Sequence, residues 1–164
     1  MNLSRRSILA SALALATLVT ATPSSAAGST EQYVVEVRVI EGERGKAGER
    51  GDPVIDKRLS GLAKDLSTLP FKSFALKDAH TSLVQDGERI SLEIPGTSKG
   101  KRFLVVAAHG RQAGGKLRFS LGIEAVKFDT LVAVPDGGTI IVGGPRGEGG
   151  KVVLFAFTAK ARKT

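Results

Sequence analysis

Two histidines, His80 and His109, are the first residues to ask for acid–base or metal chemistry. Neither has a second histidine within one strand or helical turn, and a zinc centre needs three or four ligands. Asp78 stands two residues before His80, a spacing that puts carboxylate and ring on one face of a strand. His109 sits at a strand end, just before Gly110. A small hydrolase or metal-dependent enzyme using His80 or His109 requires one imidazole within reach of a carboxylate, beside an open cleft. Asp78, Asp86 and Asp129 are the candidate acids. Ser91 and Ser120 fall inside alternating stretches, away from the strained turn that exposes a nucleophilic serine. The residues therefore point away from an enzyme, and no catalytic, metal or cofactor residues are assigned.

Other motifs carry less. Gly143 to Lys151 is glycine-rich, but a phosphate-binding P-loop needs Gly-Lys followed by Ser or Thr and a helix, and here Val152 follows Lys151. That segment reads as a hairpin loop. Gly42, Gly45, Gly48 and Gly51 recur every third residue, too briefly for a collagen helix and with charged residues between them. Arg50-Gly51-Asp52 matches a cell-adhesion tripeptide, but Asp52 is placed to cap a helix. Aromatic residues that stack on single-stranded nucleic acid are scarce, and no nucleic-acid-binding signature is present, so no nucleic acid is expected as partner.

The opening of the chain reads as a leader. Arg5 and Arg6 form a positive start, Ile8 to Thr20 is an apolar stretch, and Thr22 to Ala27 is rich in small residues. This order is that of a cleaved signal peptide, with the cut placed after Ala27. The apolar stretch is shorter than the roughly 20 residues a membrane helix needs, so no span is expected in the mature chain. Ser4-Arg5-Arg6-Ser7-Ile8-Leu9 resembles the twin-arginine export motif, with Ile8 in place of its Phe and Ala10 in place of its Lys. The resemblance implies a bacterial protein carried across the inner membrane, hence periplasmic or secreted. The 164 residues include no cysteine, which excludes both a lipid anchor and disulfides. The net charge is +8, with Lys and Arg scattered and only Lys160 to Lys163 dense, read as a solvated tail. Such a charge favours anionic surfaces and says nothing of fold.

Residues 28–164 are expected to form one domain. Tyr33, Val35, Val37 and Val39 alternate with polar residues and predict a strand. A polar loop, Gly42 to Asp52, comes next. Ile55, Leu59, Leu62 and Leu66 then form one apolar stripe of a helix, with Asp52 as its cap, Pro53 as its first residue and Pro70 as its end. Strands are expected at Phe71–Leu76, His80–Gln85, Arg89–Ile94, Arg102–Ala108, Lys116–Glu124, Phe128–Val134, Thr139–Val142 and Val152–Ala159. Asp86-Gly87 carries the hairpin signal, and Asp136-Gly137 makes a second tight turn. About seven or eight short strands imply an antiparallel β-sandwich or open barrel, with one helix between the first and second strands.

The order of an opening strand, a glycine-containing loop, Ile55-Asp56-x-x-Leu59-x-x-Leu62, Leu69-Pro70-Phe71-x-Ser73-Phe74-x-Leu76 and Gly138-Thr139-Ile140-Ile141-Val142-Gly143-Gly144-Pro145 is similar to small exported β-rich proteins of proteobacteria. The resemblance supplies no catalytic residues. Val134 to Gly144 alone resembles a hairpin of outer-membrane secretins, without their other modules. The function expected is an exported binding or structural accessory domain. Its partner is expected to be an envelope protein or an anionic polymer, with a subunit of an envelope assembly as the remaining option.

Overall fold

Water drives the two-residue rhythm of apolar side chains onto one face of each strand, and two such faces bury one another. The computed structural model describes residues 31–45, 51–95 and 101–162. The leader positions Arg5, Arg6 and Ala27, together with Gly48, Arg50 and Lys163, lie outside the described residues. The chain is mainly β. Its elements are β1 (Gln32–Glu43), β2 (Val54–Ile55), a 3-10 helix (Lys57–Leu62) running into α1 (Ala63–Leu66), β3 (Ser73–Gln85) and β4 (Arg89–Ile94). Then follow β5 (Arg102–Arg111), β6 (Leu117–Ile123), β7 (Phe128–Val134), β8 (Thr139–Arg146) and β9 (Val152–Arg162).

Five strands form one sheet in the order β2-β3-β1-β9-β8, and four form the other in the order β4-β5-β6-β7. Apart from the two-residue β2, which pairs in parallel outside β3, the strands follow one another in sequence order around the molecule, from β1 through β3 to β9 and back to β1. The result is an antiparallel meander curled toward a barrel. It is interrupted at two seams, β3/β4 and β7/β8, where the chain passes between sheets without a ladder. Sandwich and open barrel are two descriptions of this one arrangement.

Several local expectations are corrected. Asp86-Gly87 does not make a hairpin: its turn, with Gly87 at φ 80°, carries the chain from one sheet to the other. Asp136-Gly137 does the same, with Gly137 at φ 76°. Each turn is docked sideways, the Gly87 N–H on the Ala108 carbonyl and the Gly137 N–H on the Ala159 carbonyl, at 3.1 and 2.8 Å. The helix starts later than its apolar stripe suggests. Val54–Ile55 pairs in parallel with Ser73–Phe74, and Asp56, not Asp52, caps the helix by accepting from the Arg58 N–H at 2.9 Å. The 71–76 and 80–85 stretches join as one strand. Gly143–Arg146 continues β8 through a bulge. Lys160–Arg162 is the end of β9, paired with β1, and not a tail.

The main core lies between the sheets. Tyr33, Val35, Val37, Val39, Phe155 and Phe157 face Leu104, Val106, Leu117, Phe119, Leu121 and Ile123. Phe119 packs edge-on against both Tyr33 and Phe157, with ring centroids at 5.5 and 5.0 Å. A second cluster covers the outer face of the five-stranded sheet, where Leu59, Leu62 and Leu66 pack on Ile40, Phe74, Leu154 and Ala156. One sheet is thus buried on both faces where the helix lies, while Val34 and Leu83 stand exposed on its outer face beyond the helix. The other sheet is covered on its inner face alone.

The bulge in β8 depends on a missing side chain. A Cβ on Gly144 would meet the Phe155 ring at 2.6 Å and the Val153 carbonyl at 2.9 Å, whereas one on Gly143 would meet nothing within 4 Å. Gly144→Ala should therefore destabilise the fold by about 1–3 kcal/mol, the usual range for overpacking. Gly143→Ala should be close to neutral. Urea unfolding of the two variants checks this, and equal midpoints would contradict the packing described.

Candidate functional site

Ionisable side chains gather in three places. At the tight-turn end, Glu31 accepts from Arg111 Nε at 2.7 Å and, on its other oxygen, from the Tyr33 hydroxyl at 3.0 Å. The other guanidinium nitrogens reach Asp136 Oδ2 at 3.1 Å and the Gly115 carbonyl at 3.2 Å. Asp136 Oδ1 accepts the Ala161 N–H at 2.9 Å. Burial, reinforced by the bond to Glu31, pushes the Tyr33 hydroxyl far above its ordinary range. The Ala161 N–H and then Arg111 hold the Asp136 carboxyl below its ordinary value, although burial opposes them. Arg111 ends the four-stranded sheet, while Glu31 and Ala161 belong to the other. The network is a staple between sheets, with its groups already engaged.

At the opposite end, Glu41 Oε1 takes Lys151 Nζ at 2.8 Å and Lys77 Nζ at 3.2 Å. Burial would raise this carboxyl, but the two ammonium groups outweigh it and lower it. His80 lies across from Val37 in the ladder, on the inward side of β3. Its Nε2 is 3.1 Å from Asp78 Oδ2, but the approach lacks hydrogen-bond geometry and the buried nitrogen has no hydrogen-bond partner. Asp78 Oδ1 instead accepts the Ala79 N–H at 2.8 Å. Among the described residues, no group of three His, Cys, Asp or Glu side chains is placed to hold a metal ion.

The third gathering lies on the outer face of the four-stranded sheet. Register places Arg89, Ala107, Ser120 and Leu131 in one row across β4, β5, β6 and β7. His109 is two residues beyond Ala107, and its Nε2 lies 3.0 Å from Ser120 Oγ. Arg118 is two residues before Ser120, on the same face. Neither Arg89 nor Arg118 has an ion pair among the described residues. They share this with Arg44, Arg102, Arg146 and Arg162, whereas Arg38, Arg58 and Arg111 are each bound to an acid. The next row, Ser91, Val105, Gly122 and Asp129, contains a shallow depression of about 460 Å³ above Gly122, lined also by Glu124 and Lys127. Phe103 and Leu131 stand out of this face, 44% and 55% exposed.

His80 and His109 do not converge. They sit on different sheets, one facing inward and the other outward. Asp78 comes close to His80, while Asp86 packs against Gly110 and Asp129 lies beside Gly122. His109 and Ser120 have the separation of a base and a nucleophile. Among the described residues, however, no acid is bonded to the other ring nitrogen to orient it. What the face offers, within the described residues, is two arginines without ion pairs, a hydroxyl and apolar surface, with Glu93, Glu124 and Asp129 among the acids nearby. No family model, curated protein or solved structure matches the chain.

Sequence reasoning named His80, Asp78, His109 and Ser120 but missed the staple and the row containing Arg89. Arg111 carries no local signal, and the row exists only through cross-strand register. The staple has a pH signature. A lowered Asp136 carboxyl adds stability that is fully present above its ordinary value near 3.9 and is lost as pH falls through the lowered one. Asp136→Asn should unfold at lower urea than wild type near pH 7, and the gap should narrow below about pH 4. A gap independent of pH would remove Asp136 from that role.

Proposed function

We propose that the chain is an exported precursor whose β domain works by binding an anionic polymer of the bacterial envelope, through the outer face of the four-stranded sheet. The observation that carries the reading is the state of charge on that face. Arg89 and Arg118 lack acid partners there, on the sheet face that the helix does not cover. Of the net charge of +8, Arg5 and Arg6 leave with the leader, and the remaining +6 adds long-range attraction to an anionic surface. Leu131 supplies exposed apolar surface next to Ser120 in the row of Arg89, and Phe103 does so farther along the same face, opposite Glu93, as a binding surface requires more often than a solvated one. The leader of Arg5, Arg6 and the small residues up to Ala27 supports an address outside the inner membrane, as does the similarity to small exported β-rich proteins.

Two experiments test the reading. Immobilised polyphosphate and polyglutamate should retain the purified protein at low salt and release it as salt rises, while neutral dextran should not retain it. Leu131→Glu, which adds a negative charge beside the arginines, should weaken retention without changing the circular dichroism spectrum. Absence of retention at any salt, or retention indifferent to Leu131→Glu, overturns the reading. For export, the protein recovered outside the inner membrane should begin at or near Gly28, and Arg5→Lys with Arg6→Lys should leave the full-length chain in the cytoplasm. Export that survives the double change rules out the twin-arginine route.

A further inference from the structure

We infer that Ser120, with His109, Arg89 and Arg118 around it, forms a site for a tetrahedral oxyanion, a phosphate group carried by the polymer. The inference rests on the anionic-polymer reading and names the chemistry of its contact.

The row across the sheet sets the shape. Ala107 lies between Arg89 and Ser120 and is only 5% exposed, so its methyl group is covered from the outer face by the side chains around it. About two strand spacings, close to 10 Å, separate the arginine from the serine. Arg118 approaches from along β6, and His109 from β5. With the ring proton on Nε2, His109 donates to Ser120 Oγ across the 3.0 Å contact, and the serine hydroxyl proton is free to turn outward. Register thus places two guanidinium side chains and one hydroxyl around one spot on the sheet, and each guanidinium carries a fork of N–H donors. A carboxylate offers two oxygens in one plane, whereas a phosphate offers acceptors in three dimensions. Arginine meets phosphate oxygens with paired, charge-assisted bonds. Leu131, on the other side of Ser120 in the same row, covers one flank with apolar surface. Asp129 opposes the site from the neighbouring row, where it stands across from Gly122, which keeps binding to a single phosphate modest.

The experiment is a titration of the isotope-labelled protein with inorganic phosphate, followed by amide chemical shifts, with acetate at matched ionic strength as comparison. Saturable shifts centred on Ala107, His109, Arg118 and Ser120 with phosphate, and much smaller ones with acetate, are expected. Arg89→Gln and Arg118→Gln should each weaken phosphate binding about tenfold, with the rest of the spectrum unchanged to show the fold intact. Arg118→Lys should keep only part of the affinity, since it keeps the charge and loses the fork. Equal responses to acetate, or shifts spread over the basic loops, overturn the site. If polyphosphate retention survives the loss of both arginines but still weakens with Leu131→Glu, this site fails and binding through the outer face stands; if it survives all three changes, both fail. If wild type shows the local phosphate shifts but no polymer retention, the site stands and the polymer reading fails.

Discussion

The ring of Phe119, carried by the four-stranded sheet, lies between Tyr33 and Phe157 of the five-stranded one, edge-on to each. Edge-to-face aromatic pairs add about 0.5–1.5 kcal/mol beyond the area they bury. Their position matters more here than their sum. The chain has no cysteine, and no hydrogen-bonded ladder crosses either seam among the described residues. What holds one sheet to the other is therefore apolar contact across the interior, two tight turns and the Arg111 staple. The aromatic trio sits near the staple, because Tyr33 also donates to Glu31, which accepts from Arg111. Apolar and ionic ties thus meet at the tight-turn end. The other end bears the longer connections.

Leaving the seams open exposes strand edges, and an unpaired edge invites pairing with another chain. Carboxylates on and around β3 answer this. Asp56 accepts the Leu76 N–H at 3.3 Å, Asp78 the Ala79 N–H at 2.8 Å, and Glu88 the Gln85 N–H at 2.8 Å. Arg58 meanwhile covers the Leu76 carbonyl at 2.9 Å. The residue pair that starts the helix is thus also what closes the upper part of this edge. Asp78 serves this edge through Oδ1, while its Oδ2 stays 3.1 Å from His80 Nε2. One carboxylate thus both satisfies a backbone group and faces the imidazole.

The two-residue alternation made the strands legible, and Arg89–Ile94 and Phe128–Val134 have the boundaries it predicts. Alternation reports which side chains seek burial, a property of each strand alone. It does not report which strand lies beside which. Asp-Gly turns favour tight reversals, and both occur where expected with glycine in the left-handed region. Whether such a turn closes a ladder or crosses between sheets depends on strands far away in sequence, here β5 and β9, whose carbonyls hold the glycine N–H groups. The helix was misjudged for a related reason. Ile55 has the spacing of the apolar stripe, but pairing with Phe74 claims its backbone, and the helix begins only after Asp56.

The candidate site follows the same division. His109 and Ser120 were visible as residue types, but their meeting requires that Ala107 and Ser120 share a register position. Arg89 enters only because β4 pairs with β5 in a register that sets it beside Ala107. The helix settles which face is left for binding. Its three leucines are buried on the five-stranded sheet, so that sheet has solvent on neither face where the helix lies. The four-stranded sheet, covered on its inner side alone, keeps a second face of arginine, serine, leucine and phenylalanine in water. Burying the helix on one sheet thus leaves the other as the surface on which unpaired charge can act.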